Sequence, residues 1–272
     1  MSVPWLEKYR PKNLDDIVGN NETINRLKII GKYGNMPNII LCGPPGIGKT
    51  TSIYCLANKL FNNNKELIKK GVLELNASDE RGINVIRDKI KTFASTQQIF
   101  LKGFKLIILD EADSMTSSAQ FALRRIIEKY TKNTRFCLIC NYVNKIIPAL
   151  QSRCTRFRFG PLPIKDMKSR LNEISRIENI KINDDSLNAI MKLSGGDMRK
   201  CINILQSCYT AYKNNIKIEN VYECTGNPLP KDIESILNLL LNSKFKIAFD
   251  KIKFIQINKG LALNDIINGL HD

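Results

Sequence analysis

Gly43-Pro44-Pro45-Gly46-Ile47-Gly48-Lys49-Thr50 fits the pattern G-x-x-x-x-G-K-[ST] at every fixed position. Residues 38–42 before it form an apolar, strand-like run, and residues 50–60 after it carry a helical pattern, so the motif has the strand–loop–helix setting it requires. Its glycines let backbone N–H groups approach phosphate oxygens that side chains would obstruct. The helix start adds its partial positive charge. Lys49 is expected on the β- and γ-phosphates, Thr50 on Mg²⁺, and Thr51 follows in the same cradle.

A second stretch completes the chemistry. Leu106-Ile107-Ile108-Leu109-Asp110-Glu111 is an apolar strand ending in two carboxylates, at the end of a parallel strand where such sheets bind ligands. Asp110 is expected to hold the metal and Glu111 to polarise the attacking water, while a capping role at the helix starting near 116–118 is the bland alternative. Asn141 ends another buried strand at the same sheet edge, where it either orients the water or merely ends the strand. Arg199 falls in the first turn of a helix after Gly195-Gly196-Asp197, a costly place for a cation. Phosphate binding across a cleft or a salt bridge to Asp197 would each explain it. The whole reads as a P-loop nucleotide hydrolase.

Residues 38–159 alternate apolar runs with amphipathic stretches, the βαβ signature of a parallel sheet with helices on both faces. Strands are predicted at 38–42, 72–75, 105–110, 135–140 and 156–159, and helices at 50–60, 83–93, 117–130 and 146–151. Gly160-Pro161-Leu162-Pro163 breaks the pattern. Beyond it the β signal disappears, and three amphipathic helices are expected at 166–178, 184–193 and 197–212. Gly226-Asn227-Pro228-Leu229-Pro230 is a second boundary, followed by a helical segment too short to bury its own Leu, Ile and Phe. That segment either docks on a partner or opens a longer domain.

The formal net charge is +16 in 272 residues. It points to a polyanionic partner, and equally fits a codon bias that scatters Lys over solvated faces, since Lys greatly outnumbers Arg and Asn and Ile are abundant. Eight cysteines do not make a metal site. Cys137 and Cys140, three apart on a strand, face opposite sides, and His271 is the only histidine. Reduced, buried thiols are expected. No apolar stretch has the length of a membrane span and the N-terminus lacks signal-peptide form, so a soluble intracellular protein is expected.

These residues together carry a family resemblance. Trp5-Leu6-Glu7-Lys8-Tyr9-Arg10-Pro11, the P-loop, Leu75-Asn76-Ala77-Ser78-Asp79-Glu80-Arg81-Gly82, Asp110-Glu111-Ala112-Asp113, Ser152-Arg153-Cys154 and Gly196-Asp197-Met198-Arg199 resemble a small subunit of replication factor C, the AAA+ clamp loader, most of all the subunit 5 type. The resemblance implies an AAA+ ATPase domain over 1–162, a three-helix lid over 163–226, and an incomplete all-helical collar from 227. It implies that Asn141 is sensor 1 and Arg199 sensor 2. Val3, Arg10 and Val18 match positions lining the nucleotide. Arg153 matches an arginine finger that acts in trans on a neighbour's site. The resemblance turns the helix face of Arg87 and Lys91, with Arg81 before it, toward DNA phosphates, a merely solvated face being the alternative, and puts a clamp-facing surface around 114–122. ATP, Mg²⁺, sister subunits in a hetero-pentamer, a PCNA-like sliding clamp, primer–template DNA and a nuclear location follow from the same resemblance. A nucleotide-bound structural subunit with little hydrolysis is the alternative, and a hexameric helicase-type motor a more distant one.

Overall fold

The computed structural model describes residues 3–78, 83–96 and 103–271, with the side chains of 83–87 left aside. The chain divides into two compact units, Tyr9–Asp166 and Met1–Lys8 with Met167–Asp272.

The first unit is built on a five-stranded parallel sheet. Its strands are β1 (Ile39–Cys42), β2 (Val72–Asn76), β3 (Lys105–Asp110), β4 (Thr134–Cys140) and β5 (Thr155–Arg158), in the spatial order β2-β3-β4-β1-β5. Every pairing is parallel, with Cys42 opposite Cys140 and Leu109 opposite Leu138. The central strands are apolar throughout because both of their faces are covered; Ile39, Ile40, Leu41, Ile107, Ile108 and Leu138 are fully buried. At roughly 1.5–3 kcal/mol for each large aliphatic side chain taken from water, these strands supply much of the unit's stability.

Helices α2 (Asn21–Tyr33), α3 (Lys49–Leu60), α4 (Lys65–Gly71), α5 (Ile83–Ser95), α6 (Ser117–Tyr130) and α7 (Pro148–Gln151) complete this unit, after the short α1 (Trp5–Lys8) of the other. The expected strands and helices are all present within a few residues of their predicted ends. Helices α2 and α4 were not anticipated. The first buries only Ile24 and Leu27, too few to make a periodic pattern. The second is started by Asn64, whose side chain accepts from the N–H groups of Glu66 and Leu67. Arg81 lies outside the described residues, as does the side chain of Arg87; Lys91 is exposed on α5.

The second unit corrects the expectation of three helices and no strand beyond residue 160. It contains α8 (Ile164–Ile177), α9 (Asp184–Ser194), α10 (Met198–Tyr212) and a fourth helix, α11 (Ile218–Thr225), with two short parallel strands, β6 (Lys181–Ile182) and β7 (Asn215–Ile216). Two-residue strands are too short to show a period of two, and α11 is a helix of only two turns. Trp5 of α1 packs on Tyr209 with ring centroids 5.1 Å apart, and its backbone N–H donates to Gln206 Oε1 at 3.0 Å. Helices α12 (Pro230–Asn242), α13 (Phe245–Lys259) and α14 (Leu263–His271) follow, sharing a small core of Ile236, Leu261 and Ile266. Phe245, Phe254 and Ile257 stay exposed, as the sequence implied.

No helix among the described residues is long and apolar enough to cross a membrane. The eight cysteines are free, with Cys137 and Cys140 both buried in β4, and no metal-ligating cluster occurs among the described residues.

Candidate active site

Strand order determines the site. Because β3, β4 and β1 are neighbours, their carboxyl ends bring Asp110-Glu111, Asn141 and the loop from Gly43 side by side, although 60 to 92 residues separate the bonded partners in sequence. The loop 43–48 needs its glycines. Gly43, Gly46 and Gly48 have φ of +148°, +70° and +92°. A Cβ on Gly43 would come within 2.2 Å of the Phe159 carbonyl oxygen.

Lys49 is buried, and its ammonium donates to Gly43 O at 2.7 Å, Pro44 O at 2.6 Å and Asn141 Oδ1 at 2.9 Å. A buried cation needs such acceptors. Asn141 is therefore tied to the P-loop by a direct bond, so strand-ending turn chemistry is not its whole role. Thr50 Oγ1 donates to Asp110 Oδ2 at 2.9 Å, and the other oxygen of Asp110 accepts from Glu111 N at 2.8 Å. Glu111 has φ of +53° and an exposed side chain. It precedes a single 3₁₀ turn, Ala112–Ser114, without a side-chain cap bond there, and the N-cap of α6 is Thr116, whose hydroxyl accepts from Ala119 N, rather than Glu111. A left-handed non-glycine residue costs about 1–2 kcal/mol, and such strain clusters at functional sites.

Two supporting residues escaped the sequence reading. Asp113 Oδ2 accepts from Asn141 N at 3.1 Å and Tyr142 N at 3.0 Å, holding the end of β4 against the turn after β3. Its place in the Asp110–Asp113 motif was the available signal. Tyr54 of α3 lies under the Arg10 guanidinium, 4.9 Å from ring centroid, and its hydroxyl donates to Glu74. Burial first, then that bond, pushes the Tyr54 hydroxyl pKa up. Arg10 is thereby packed on the helix that follows the P-loop. Ile17, beside Val18, approaches within 3.7 Å of a Cβ built on Gly48, so this segment also borders the loop.

Val3 is exposed and Arg199 opens α10, both in the second unit. Asp197 caps α10, accepting from the N–H groups of Arg199 at 2.8 Å and Lys200 at 3.3 Å. The Arg199 side chain lies a loose 3.7 Å from Asp197 and is more than half exposed, so the salt bridge accounts for little of its position. Arg153, after α7, is paired with Glu128 of α6 at 2.5 Å.

The residues present fit a magnesium nucleotide. The glycine cradle admits phosphate, and the Thr50 hydroxyl with the Asp110 carboxylate is the hard-oxygen donor set that Mg²⁺ takes. A five-stranded parallel sheet with this loop after β1 and paired acids after β3 defines a P-loop ATPase of the AAA+ class.

The comparisons narrow that class. Residues 39–162 match the family described as ATPase family associated with various cellular activities, 169–210 the RCF1/5-like AAA+ ATPase lid domain, and 228–272 the replication factor C C-terminal domain. The chain is 54% identical to probable replication factor C subunit 5 of Dictyostelium discoideum, covering 98% of this chain and 77% of that protein. It is 50% identical to human replication factor C subunit 5, over 99% of this chain and 78% of the relative. Replication factor C subunit 3 of Saccharomyces cerevisiae is 48% identical over 99% and 79%. Among solved structures, the Thermotoga maritima RuvB Holliday junction branch migration motor shares the fold, with a TM-score of 0.64 at 17% identity over 96% of this chain and 90% of that one. The chain belongs to the replication factor C subunit family.

Proposed function

We propose that this chain is the ATP-hydrolysing subunit, of the subunit 5 type, in a replication factor C clamp loader, coupling ATP binding and hydrolysis to loading of a sliding clamp on primer–template DNA. One observation carries the reading. Lys49 bonds Asn141 and Thr50 bonds Asp110, so the groups proposed for phosphate and metal meet the proposed sensor at one sheet edge.

The proposed roles rest on position for the P-loop, Asp110, Glu111 and Asn141, and on the family resemblance for the others. Thr50 and Asp110 hold Mg²⁺, which when bound neutralises charge on the phosphates. Lys49 stands over the phosphate cradle, with its ammonium aligned by Asn141. Glu111, exposed beside Asp110, accepts a proton from the attacking water. Asn141 reports γ-phosphate through Lys49, and Arg199 serves as the second sensor. The loop residues through Thr51, with Val3, Arg10 and Val18, bind the rest of the nucleotide. Arg153 acts in trans on a neighbouring subunit, where a cation stabilises phosphoryl-transfer charge. Arg81, Arg87 and Lys91 contact DNA phosphates, a sequence-independent and salt-sensitive mode.

The ATPase domain spans 1–162, the lid 163–226 and the collar from 227. The partners are sister subunits of a hetero-pentamer, a PCNA-like clamp and primed DNA, in the nucleus. Substituting Glu111→Gln within the assembled complex tests the reading. Hydrolysis at this site falls by about 10²–10⁴-fold while ATP still binds, because a positioned general base contributes about that much. Unchanged hydrolysis at this site would refute Glu111 as its base, and unchanged clamp release would mean that catalysis here does not matter for loading.

A further inference from the structure

Arg153 is not free in this chain. Its Nη2 sits 2.5 Å from Glu128 Oε1, and its Nη1 donates to Ala149 O at 2.8 Å and Ser152 Oγ at 3.2 Å. The same Glu128 oxygen accepts from Arg124 Nε at 3.0 Å, one turn earlier on α6. One carboxylate thus gathers two guanidiniums, and the Arg153 guanidinium is gripped between α6 and the carbonyl end of α7. Arg124 foremost, and Arg153 with it, hold the Glu128 carboxyl below its ordinary range, so it stays ionised at neutral pH.

The pair is a poor stability device. The Glu128 and Arg153 side chains are 41% and 33% exposed, and exposed ion pairs contribute little to folding. Its effect is geometric. An arginine side chain carries large rotamer entropy, and a group that must reach a reacting phosphate from another subunit acts best when that freedom is already lost. We propose that Glu128 is a positioning residue for Arg153, holding the guanidinium just after α7 so that it meets a neighbour's nucleotide in one orientation. This rests on the reading of Arg153 as a finger acting in trans.

The test uses the reconstituted hetero-oligomer in which every subunit except the neighbour carries glutamine at its Glu111 position, so that turnover reports one site. Arg153→Ala, Glu128→Ala, Glu128→Gln and the double variant Glu128→Ala with Arg153→Ala are compared. Glu128→Ala lowers kcat at the neighbour's site at least about tenfold, because a misplacement near an ångström costs up to roughly a hundredfold. KM, nucleotide affinity of this chain's own site and melting temperature stay unchanged. Glu128→Gln, which keeps the acceptor oxygen but loses the charge, falls between, and the double variant is no slower than Arg153→Ala. Full kcat in Glu128→Ala, with Arg153→Ala impaired, overturns the proposal and leaves the finger intact. A raised kcat in Glu128→Ala overturns it too, since Glu128 would then be holding the finger back. No loss in Arg153→Ala removes the finger itself, and Glu128 with it.

Discussion

Replacing Gly43 with alanine sets a methyl carbon 2.2 Å from the Phe159 carbonyl oxygen, 3.1 Å from its carbon and 3.0 Å from Ile47 Cδ1. Ordinary contact begins at 3.4 Å, so the main chain after β5 must retreat by over an ångström. That backbone is not at liberty to move: Phe159 N donates to Cys42 O at 2.8 Å, and Gly160 N to Asn20 Oδ1 at 2.7 Å. Overpacking costs about 1–3 kcal/mol, and holding a Cβ-bearing residue at positive φ adds about 1–2 kcal/mol. The expected loss is about 3 kcal/mol, or roughly 6–12 °C in melting temperature for a unit of this size. Gly34→Ala is the control. Its φ of +69° is also positive, but nothing lies within 4 Å of the added carbon, so it loses about 1 kcal/mol. Thermal unfolding followed by far-UV circular dichroism reads both, in the transition that added nucleotide shifts upward. If the two variants melt together, the collision with Phe159 is not what glycine avoids at this position.

Three further outcomes are expected. Asn141→Ala removes an acceptor from the Lys49 ammonium, and hydrogen bonds to charged groups are worth about 1.5–3 kcal/mol; hydrolysis drops roughly tenfold or more while nucleotide affinity, by fluorescence titration, stays within a few-fold. Lys105, buried at the start of β3, donates to Phe93 O at 2.6 Å and to Thr96 O at the end of α5. Lys105→Met leaves those carbonyls unmatched at about 1–3 kcal/mol, and hydrogen exchange in the last turn of α5 accelerates, whereas unchanged exchange would show that the lysine caps nothing. Burial raises the Cys140 thiol from 9.0 to about 12. A folded pKa above the unfolded one favours the native state while the thiol is neutral, so stability is complete below pH 9 and is lost as pH rises from 9 toward 12. Urea midpoints between pH 8 and 11 test this, and Cys140→Ala flattens the fall.

The parts legible in sequence are those with a local signature. The P-loop, the acids after β3 and the central strands β1, β3 and β4 follow from motif and apolar runs, because buried parallel strands need no alternation to be seen. What escaped depends on partners distant in the chain. Asn20, with φ of +52°, brackets the Gly160 backbone through both amide atoms, a contact across 140 residues that no local pattern announces. Glu128 reads as one more charge on a solvated helix face until α7 brings Arg153 to it. Asp113 was visible in its motif, but its bonds to Asn141 and Tyr142 require β4 beside β3. The lid's extra helix and two-residue strands are below the length at which periodicity can be read.

The central claim, an ATP-hydrolysing subunit working within a mixed clamp-loader ring, is tested most directly by native mass spectrometry of this protein recovered from its own cells with a non-hydrolysable ATP analogue. The account predicts a single copy of this chain joined to several related ATPase subunits in one nucleotide-bound hetero-pentamer, with a sliding clamp attached in some particles. A closed ring of identical copies, or a nucleotide-bound monomer alone, would contradict it.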